Sequence, residues 1–551
     1  MTKIIIVGGV AGGATAATRL RRLDERAEII LFEKGEHISF ANCGLPYYIG
    51  EAIDDRAKLL TQKPQNLRDR YNLDVRVNNE VLAINREAKM VLARDLLSGR
   101  EYSESYDKII LAPGASPFVP PMKGVSSAGV FTLRTVPDAD RIKEFVKANN
   151  SKTATIVGAG FIGLELAENL SLLGLTVNVL QRADRVLPIL DPEMVPTIHA
   201  CLRQHGVNLF LRNSVAEITQ ASGRLELKLE DQTTLLTDIL VLAVGVRPDS
   251  LIAKNAGLKI NARGGIIVDQ NQRTSDENIY AVGDAIETLD YLTKNPAMLP
   301  LAAPAQKQAR VAADHICGLK SQYAGALGTS ILKIFEMTVG LTGHNEEAVD
   351  ALGLDYDKAY LLATNYATYY PEASPMWLKV LFEKKTARLL GAQIVGHAGV
   401  DKRLDVLSVA LKANLPANAL GGLDLAYAPP YSMAKDPINQ VGLMIENLLT
   451  GFVQQFHWTE VDKLPQDGTA ILLDVRGEDE FAKGHLPGFQ NLPLKKLRSE
   501  LGQLDPAKPV YINCEAGLRS YVAARILKQN SFKAFYLSGG YRLYAQIKND
   551  Q

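Results

Sequence analysis

The sequence predicts an α/β fold class: two separate parallel-sheet domains, an α+β third domain and a further α/β module after it. Three observations predict this. A unit of β-branched strand, glycine turn, helix and second strand occurs at residues 4–33 and again at 154–181. From about residue 325 the texture changes to strand-like stretches separated by turns, followed by two helices. The apolar strand Ile471-Leu472-Leu473-Asp474-Val475 then restarts an α/β pattern. At about 150 residues per domain, 551 residues give three or four domains, in agreement.

In chain order, Ile4-Ile5-Ile6-Val7-Gly8 is a short buried strand because it is β-branched and ends in glycine. An Ala-rich helix over about 13–23 and a strand at 28–33 complete the first unit. The second has Ala154-Thr155-Ile156-Val157-Gly158, a helix over 160–174 through Leu164, Leu166 and Leu170, and a strand at 176–181. Further strands are expected at 107–112, 238–244 and 278–282. The third domain should hold strands at 330–340, 359–367, 377–383 and 389–396, then helices at 401–413 and 436–448. Gly451 to Trp458 reads as a linker.

Composition excludes several classes. An apolar share of 47% is that of folded protein. Sixty-one basic against 61 acidic residues leave no field for nucleic acid, only room for a local patch that takes a small anion. No run approaches 18 apolar residues, so no transmembrane helix is expected, and the run at Ile4 is too short for a signal peptide. Cysteines at 43, 201, 317 and 514 are too sparse for a disulfide framework and too far apart for Cys-x-x-Cys. No metal site is expected, and the chain reads as cytoplasmic with reduced thiols.

The glycine turns carry the first chemistry. Gly8-Gly9-Val10-Ala11-Gly12-Gly13 lets backbone approach a pyrophosphate at a helix N-terminus, where free N–H groups and the dipole favour anions. Val10 takes the usual middle glycine position. Glu33, 25 residues after Gly8 and followed by Lys34, supplies a carboxylate for ribose hydroxyls. The turn with Gly158, Gly160 and Gly163 has the full spacing, and its second strand ends in Gln181-Arg182. An acid there would favour NAD and an arginine accepts the 2′-phosphate of NADP, so NAD(P)H is the reading. Glu165 lies just inside this second helix, either near the nicotinamide or as a solvated helix residue.

Two further stretches, Ile109-Ile110-Leu111-Ala112-Pro113-Gly114-Ala115 and Asn278-Ile279-Tyr280-Ala281-Val282-Gly283-Asp284-Ala285, resemble the signatures of the flavoprotein pyridine nucleotide–disulfide oxidoreductase family. The resemblance implies two Rossmann-like domains, FAD and NAD(P)H, with Asp284, Ala112 and Gly114 beside the flavin nucleotide. The segment Ser39-Phe40-Ala41-Asn42-Cys43-Gly44-Leu45-Pro46-Tyr47-Tyr48 has one cysteine where dithiol members carry two, and resembles the coenzyme A-disulfide reductase branch. A lone cysteine alternates between thiolate and a mixed disulfide, persulfide or sulfenate. The adjacent glycine and a nearby helix N-terminus are expected to lower its pKa.

Ala426-Tyr427-Ala428-Pro429-Pro430-Tyr431-Ser432 resembles the same branch, in which third-domain tyrosines of a partner subunit reach the redox cysteine. This implies a homodimer, with Tyr427 and, as a looser match beside Tyr370, Tyr369 as phenol donors to the departing thiolate. Basic groups should line the approach of the coenzyme A phosphates. Arg19 and Arg22, three apart on one helix, together with Ser39 and Asn42, are the residues the resemblance assigns to it.

The last module resembles a rhodanese domain in Asp474-Val475-Arg476, Glu480-Phe481, Gly484-His485-Leu486-Pro487-Gly488 and Asn491-Leu492-Pro493. Its nucleophile position is Cys514, which opens Cys514-Glu515-Ala516-Gly517-Leu518-Arg519-Ser520. Convergent N–H groups there stabilise a thiolate or persulfide, and Arg519 is expected to bind an anionic donor. His485 reads as a structural hydrogen-bonder, and Cys201 and Cys317 as structural cysteines.

The expected division is FAD-binding domain 1–115 and 245–322, NAD(P)H-binding domain 116–244, dimerisation domain 323–450 and rhodanese domain 455–551. The expected activity is NAD(P)H-dependent reduction of CoA disulfide, CoA persulfide or polysulfide through Cys43, with Cys514 handling sulfane sulfur. Three alternatives stand beside it: a peroxidase or oxidase cycling through sulfenate, reduction of an electron-transfer protein, and a rhodanese module that serves as sulfur carrier for a protein partner. Peroxidase-type members place a histidine before the paired glycines, where this chain has Ala11.

Overall fold

The computed structural model describes residues 2–550. They form two compact units, Met1–Val186 with His205–Gly328 and Leu187–Gln204 with Thr329–Gln551. Among the described residues no helix is long and apolar enough to cross a membrane.

The first unit holds two parallel five-stranded sheets. One runs Ile279–Ala281, Lys108–Leu111, Lys3–Val7, Glu28–Glu33, Asp74–Val77. Its central strand is β-branched from Ile4 to Val7, where both faces are covered. Ile4 and Ile6 pack on Ala16, Ala17 and Leu20 of the helix Ala11–Leu23, while Ile5 points the other way, to Val91 and Ala93. The second sheet runs Asn208–Leu211, Thr176–Gln181, Thr153–Val157, Ile239–Leu242, Val130–Phe131. In each, the central strand ends in a glycine turn that opens a helix: Ala11–Leu23 in the first, Phe161–Leu172 in the second.

The second unit begins with an antiparallel sheet in the order Ser330–Ile334, Met337–Gly343, Leu389–Gly396, Pro375–Glu383, Tyr356–Thr364. The single strand expected at 330–340 is two. Phe335 takes a left-handed backbone, φ 51°, and turns the chain back on itself, so Ile334 pairs with Met337. Helices Val400–Lys412 and Pro437–Leu449 follow. The C-terminal sheet is parallel, in the order Gln454–Phe456, Ala534–Leu537, Val510–Asn513, Ile471–Asp474, Gln490–Asn491. The segment expected as linker is therefore an edge strand: Phe456 is buried with Leu472 and Leu537, and apolar burial fixes what polar Gln454 and Gln455 disguise.

A buried ion cluster ties Leu187–Gln204 to the antiparallel sheet. Lys379, 1% exposed, meets Asp191 at 2.5 Å and also Glu193 and Glu346. Tyr360 donates to Glu193 at 2.5 Å, and the Gln393 amide donates to Asp191 at 2.7 Å. The three carboxylates converge closely enough to hold a cation, and the Lys379 ammonium is the cation they hold.

The C-terminal module is fastened to the rest of its unit at two separate places. Gln455 donates to Asp357 at 3.1 Å and to the Lys358 carbonyl at 2.8 Å, while His457 Nε2 lies 2.9 Å from Asp357. At the other end Asp550 meets His199 at 2.6 Å and Arg203 at 2.8 Å, and Trp377 Nε1 donates to Gln546 at 3.1 Å.

Candidate active site

Both glycine turns are built as cradles. Gly8 and Gly158 adopt φ of +98° and +104°, and a Cβ on either would run into a carbonyl oxygen, that of Ala112 or Ala243. Gly13 and Gly163 sit within the helices, where a Cβ would strike the Gly8 and Gly158 carbonyls. Gly12 lies against Val282, and Gly160 faces open space. Neither helix has a side-chain cap at Val10 or Gly160, which leaves the first-turn N–H groups for an anion.

The two units treat the end of the second strand alike. Glu33 accepts from the Gly9 N–H at 2.7 Å, and Gln181 accepts from the Ala159 N–H at 3.2 Å. Burial pushes the Glu33 carboxyl up, against the hydrogen bonds from Gly35 and Gly9. Lys34 reaches Asp249 at 3.9 Å, and exposed Arg182 reaches Glu230 at 3.3 Å. Gly114 is left-handed, φ +76°, with Arg134 Nη2 on its open side.

Arg134 is the residue that sequence reasoning missed. It donates to Asp284 at 2.8 Å, and the Asn42 amide fits against its Nη1 and its carbonyl, at 3.3 and 2.6 Å. The next residue, Cys43, is exposed in the turn Asn42–Gly44 before the short helix Leu45–Ile49. Ser39 is left-handed, φ 44°, and its carbonyl accepts from the Thr61 N–H at 3.1 Å. Arg19 pairs with Asp314 at 2.7 Å, whereas Arg22 stands exposed.

The expected lowering of the Cys43 pKa is not found. Surrounding protein desolvates the thiol and raises its pKa, the Glu165 carboxylate adds to this, and Arg134 opposes both. Glu165 itself accepts from the Tyr47 hydroxyl at 3.1 Å. Burial pushes its carboxyl up to about 7, with the Tyr47 hydrogen bond opposing. Glu165→Gln keeps the shape and removes the charge. At pH 8, where the carboxylate is ionised, iodoacetamide should alkylate Cys43 a few-fold faster in this variant than in wild type, and the difference should shrink below pH 6. Equal rates at pH 8 would dismiss Glu165 as a neighbour of the thiol.

In the second unit, Tyr369 and Tyr427 are exposed, their hydroxyls 3.2 Å apart. Cys514 is buried, with its sulfur 3.1 Å from the Gly517 N–H and 3.3 Å from the Ser520 hydroxyl. Arg519, the expected anion binder, is already paired. Both its terminal nitrogens are engaged by Glu480, at 2.6 and 2.7 Å. His485 stacks on Phe481 with ring centroids 3.9 Å apart and bonds the Phe481 carbonyl at 3.1 Å, a structural role. Cys201 is buried and Cys317 half-buried; none of the four cysteines is in a disulfide.

The model of the pyridine nucleotide-disulphide oxidoreductases matches residues 2–315. The chain belongs to this family. The oxidoreductase also matches the family's dimerisation domain over residues 329–437 and a rhodanese-like domain over 457–546. It is 38% identical over 449 residues to a coenzyme A disulfide reductase of Staphylococcus aureus, strain bovine RF122 / ET3-1, covering 80% of this chain and 99% of that protein. A solved structure of reduced Bacillus anthracis CoADR-RHD superposes with a TM-score of 0.97 at 44% identity, covering 100% of this chain and 98% of that one. A NAD-dependent persulfide reductase from A. fulgidus gives 0.91 at 35% identity, covering 98% and 100%. Membership implies FAD and NAD(P)H. The oxidoreductase's residues fit both: two uncapped helix N-termini behind glycines that tolerate no Cβ are what two dinucleotides require.

Proposed function

We propose that this chain is an NAD(P)H-dependent CoA-disulfide and CoA-persulfide reductase, active as a homodimer, with Cys43 as its redox centre and Cys514 as carrier of sulfane sulfur. The observation that carries the reading is the lone exposed thiol of Cys43, set beside Arg134, Glu165 and Tyr47 with no second cysteine in its segment. Its resemblance to coenzyme A disulfide reductases and to a persulfide reductase supports the sulfur substrate.

Gly8, Gly12, Gly13, Glu33 and Asp284 would hold FAD, with Ala112 and Gly114 alongside, and Gly158, Gly160, Gly163 and Gln181 would hold the nicotinamide dinucleotide with Arg182 nearby. When bound, this pair supplies the two electrons of the reduction. With a CoA persulfide, the Cys43 thiolate attacks the carbon-bound sulfur and hydrosulfide leaves with the electron pair of the broken sulfur–sulfur bond. A Cys43–CoA disulfide remains, and two electrons and one proton return it to the Cys43 thiolate and CoA thiol. Glu165, poised near 7 and hydrogen-bonded to Tyr47, can hold or release a proton at Oε1 around neutral pH. Exposed Arg22, with Arg19, Ser39 and Asn42, would receive the CoA nucleotide. In the homodimer Tyr427 and Tyr369 of one subunit would serve the Cys43 of the other.

The test is NAD(P)H oxidation by the purified holoenzyme with CoA disulfide, CoA persulfide, polysulfide, peroxide and oxygen as acceptors. The CoA-linked sulfur acceptors should support kcat/KM at least about tenfold above peroxide or oxygen, a difference of about 1.4 kcal/mol in the barrier. The reverse order would replace this reading with the oxidase one.

A further inference from the structure

The charges around the loop at Cys514 bear on which sulfur donor it can receive. Two guanidiniums flank it, and both are already paired. Arg519 is clasped fork-on-fork by Glu480, which the Gly477 N–H also holds at 2.9 Å. Arg519 in turn pulls the Glu480 carboxyl down to about 2, so it is ionised at any working pH. Arg476 is buried against Asp474, Nη2 to Oδ2 at 2.8 Å, and its remaining nitrogen faces Glu515 at 3.4 Å. Three carboxylates against two guanidiniums leave this set at −1 before the Cys514 sulfur is counted.

The loop is also held in shape. Gly540 lies against the Cys514 and Glu515 carbonyls, where a Cβ would stand 2.6–2.7 Å from their oxygens. The Tyr541 and Arg542 N–H groups donate to those carbonyls at 2.8 and 3.0 Å. Beyond the sulfur, Leu518 is 75% exposed and offers an apolar contact.

From this we infer that Cys514 takes sulfane sulfur from alkyl persulfides and discriminates against dianionic donors such as thiosulfate, with Glu480 and Glu515 setting the preference. The inference rests on the reading of Cys514 as a sulfur carrier. In the step, the Cys514 thiolate attacks the terminal sulfur of R–S–SH. The Cys514–sulfur bond forms, the R–S to SH bond breaks, and RS⁻ leaves with the electron pair while the proton stays on the transferred sulfur. Thiosulfate would instead release sulfite, a second negative charge developing beside Glu515 with both guanidiniums occupied. Like charges brought together this way raise the barrier, and salt lowers it by screening. Glu480 is a positioning residue, acting through Arg519; Glu515 acts directly.

The experiment uses the full-length reduced enzyme without NAD(P)H, exposed to N-acetylcysteamine persulfide or to thiosulfate at equal concentration. Gain of one sulfur on the peptide containing Cys514 is followed by mass spectrometry. Wild type should load from the alkyl persulfide at least about tenfold faster. Glu480→Gln and Glu515→Gln should each raise thiosulfate loading several-fold while alkyl persulfide loading stays within about twofold, because the sulfite dianion feels the removed charge more strongly than the singly charged leaving thiolate. Raising the salt should speed thiosulfate loading more than alkyl persulfide loading. The ratio of the two donors does not depend on the fraction of protein folded. Equal loading by both donors in wild type, or a ratio unmoved by either substitution, overturns the inference. Loading by neither donor overturns the carrier reading beneath it.

Discussion

Replacing Cys43 by serine is expected to lower kcat/KM for CoA disulfide and CoA persulfide by at least about 10³. Serine keeps the size of the side chain but cannot form a sulfur–sulfur bond, so the covalent half-reaction disappears. No other thiol stands ready to replace it: Cys201 and Cys514 are buried, and Cys317 ends the helix Ala302–Ile316 half-buried. Cys43 lies outside both glycine cradles, so the variant should retain its flavin absorbance. That separates lost chemistry from lost cofactor. Retention of a tenth or more of the activity would mean that electrons leave for the acceptor without passing through Cys43, as reduction of an electron-transfer protein requires.

Lys379→Met is expected to destabilise the second unit by about 3–5 kcal/mol, the range for removing one partner of a buried ion pair. Methionine fills the volume but leaves Asp191, Glu193 and Glu346 facing one another without a cation. At about 2–4 °C per kcal/mol, the thermal midpoint should fall by at least about 6 °C. The pH dependence carries a definite sign. Burial works to raise the Glu346 carboxyl, but Lys379 and then Lys358 outweigh it and bring it down to about 2. A depressed carboxyl stabilises fully above its ordinary pKa near 4.5, and that contribution is lost as pH falls towards 2. Asp191, raised by burial, works in the opposite sense. The midpoints of wild type and variant should therefore converge as pH falls from about 4.5 towards 2. A constant gap would show that Glu346 does not depend on Lys379 for its charge.

What could be read from the sequence follows from how far each interaction reaches along the chain. The glycine turns, Glu33 and Gln181 belong to local units in which strand, turn and helix are consecutive, so their spacing already encodes the cradle. Arg134 escaped because its partners Asn42 and Asp284 lie 92 residues before it and 150 after it, and nothing in Leu133-Arg134-Thr135 marks it. The same holds for Tyr47, whose segment was legible but whose acceptor, Glu165, comes 118 residues later. Lys379 did leave a signal. It is a single cation in the apolar stretch Met376–Phe382 of the strand Pro375–Glu383, where a charge has to be matched from another element. The direction of the Cys43 pKa was misjudged because glycine and a helix end are visible in sequence, whereas desolvation and the approach of Glu165 are not.

The two fastenings of the C-terminal module bear on how sulfur can reach Cys514. A module held both at Gln455 and His457 and at Asp550 and Gln546 does not sweep out a volume as a domain on a single flexible linker would. For a donor on a flexible arm anchored in the same unit, Cys514 is then a fixed target. Its effective concentration depends on the span to be bridged and on the length and stiffness of that arm. Lengthening the arm of a synthetic donor would change the transfer rate by polymer statistics, while lengthening the chain around Gly451 would leave it unchanged as long as both fastenings hold.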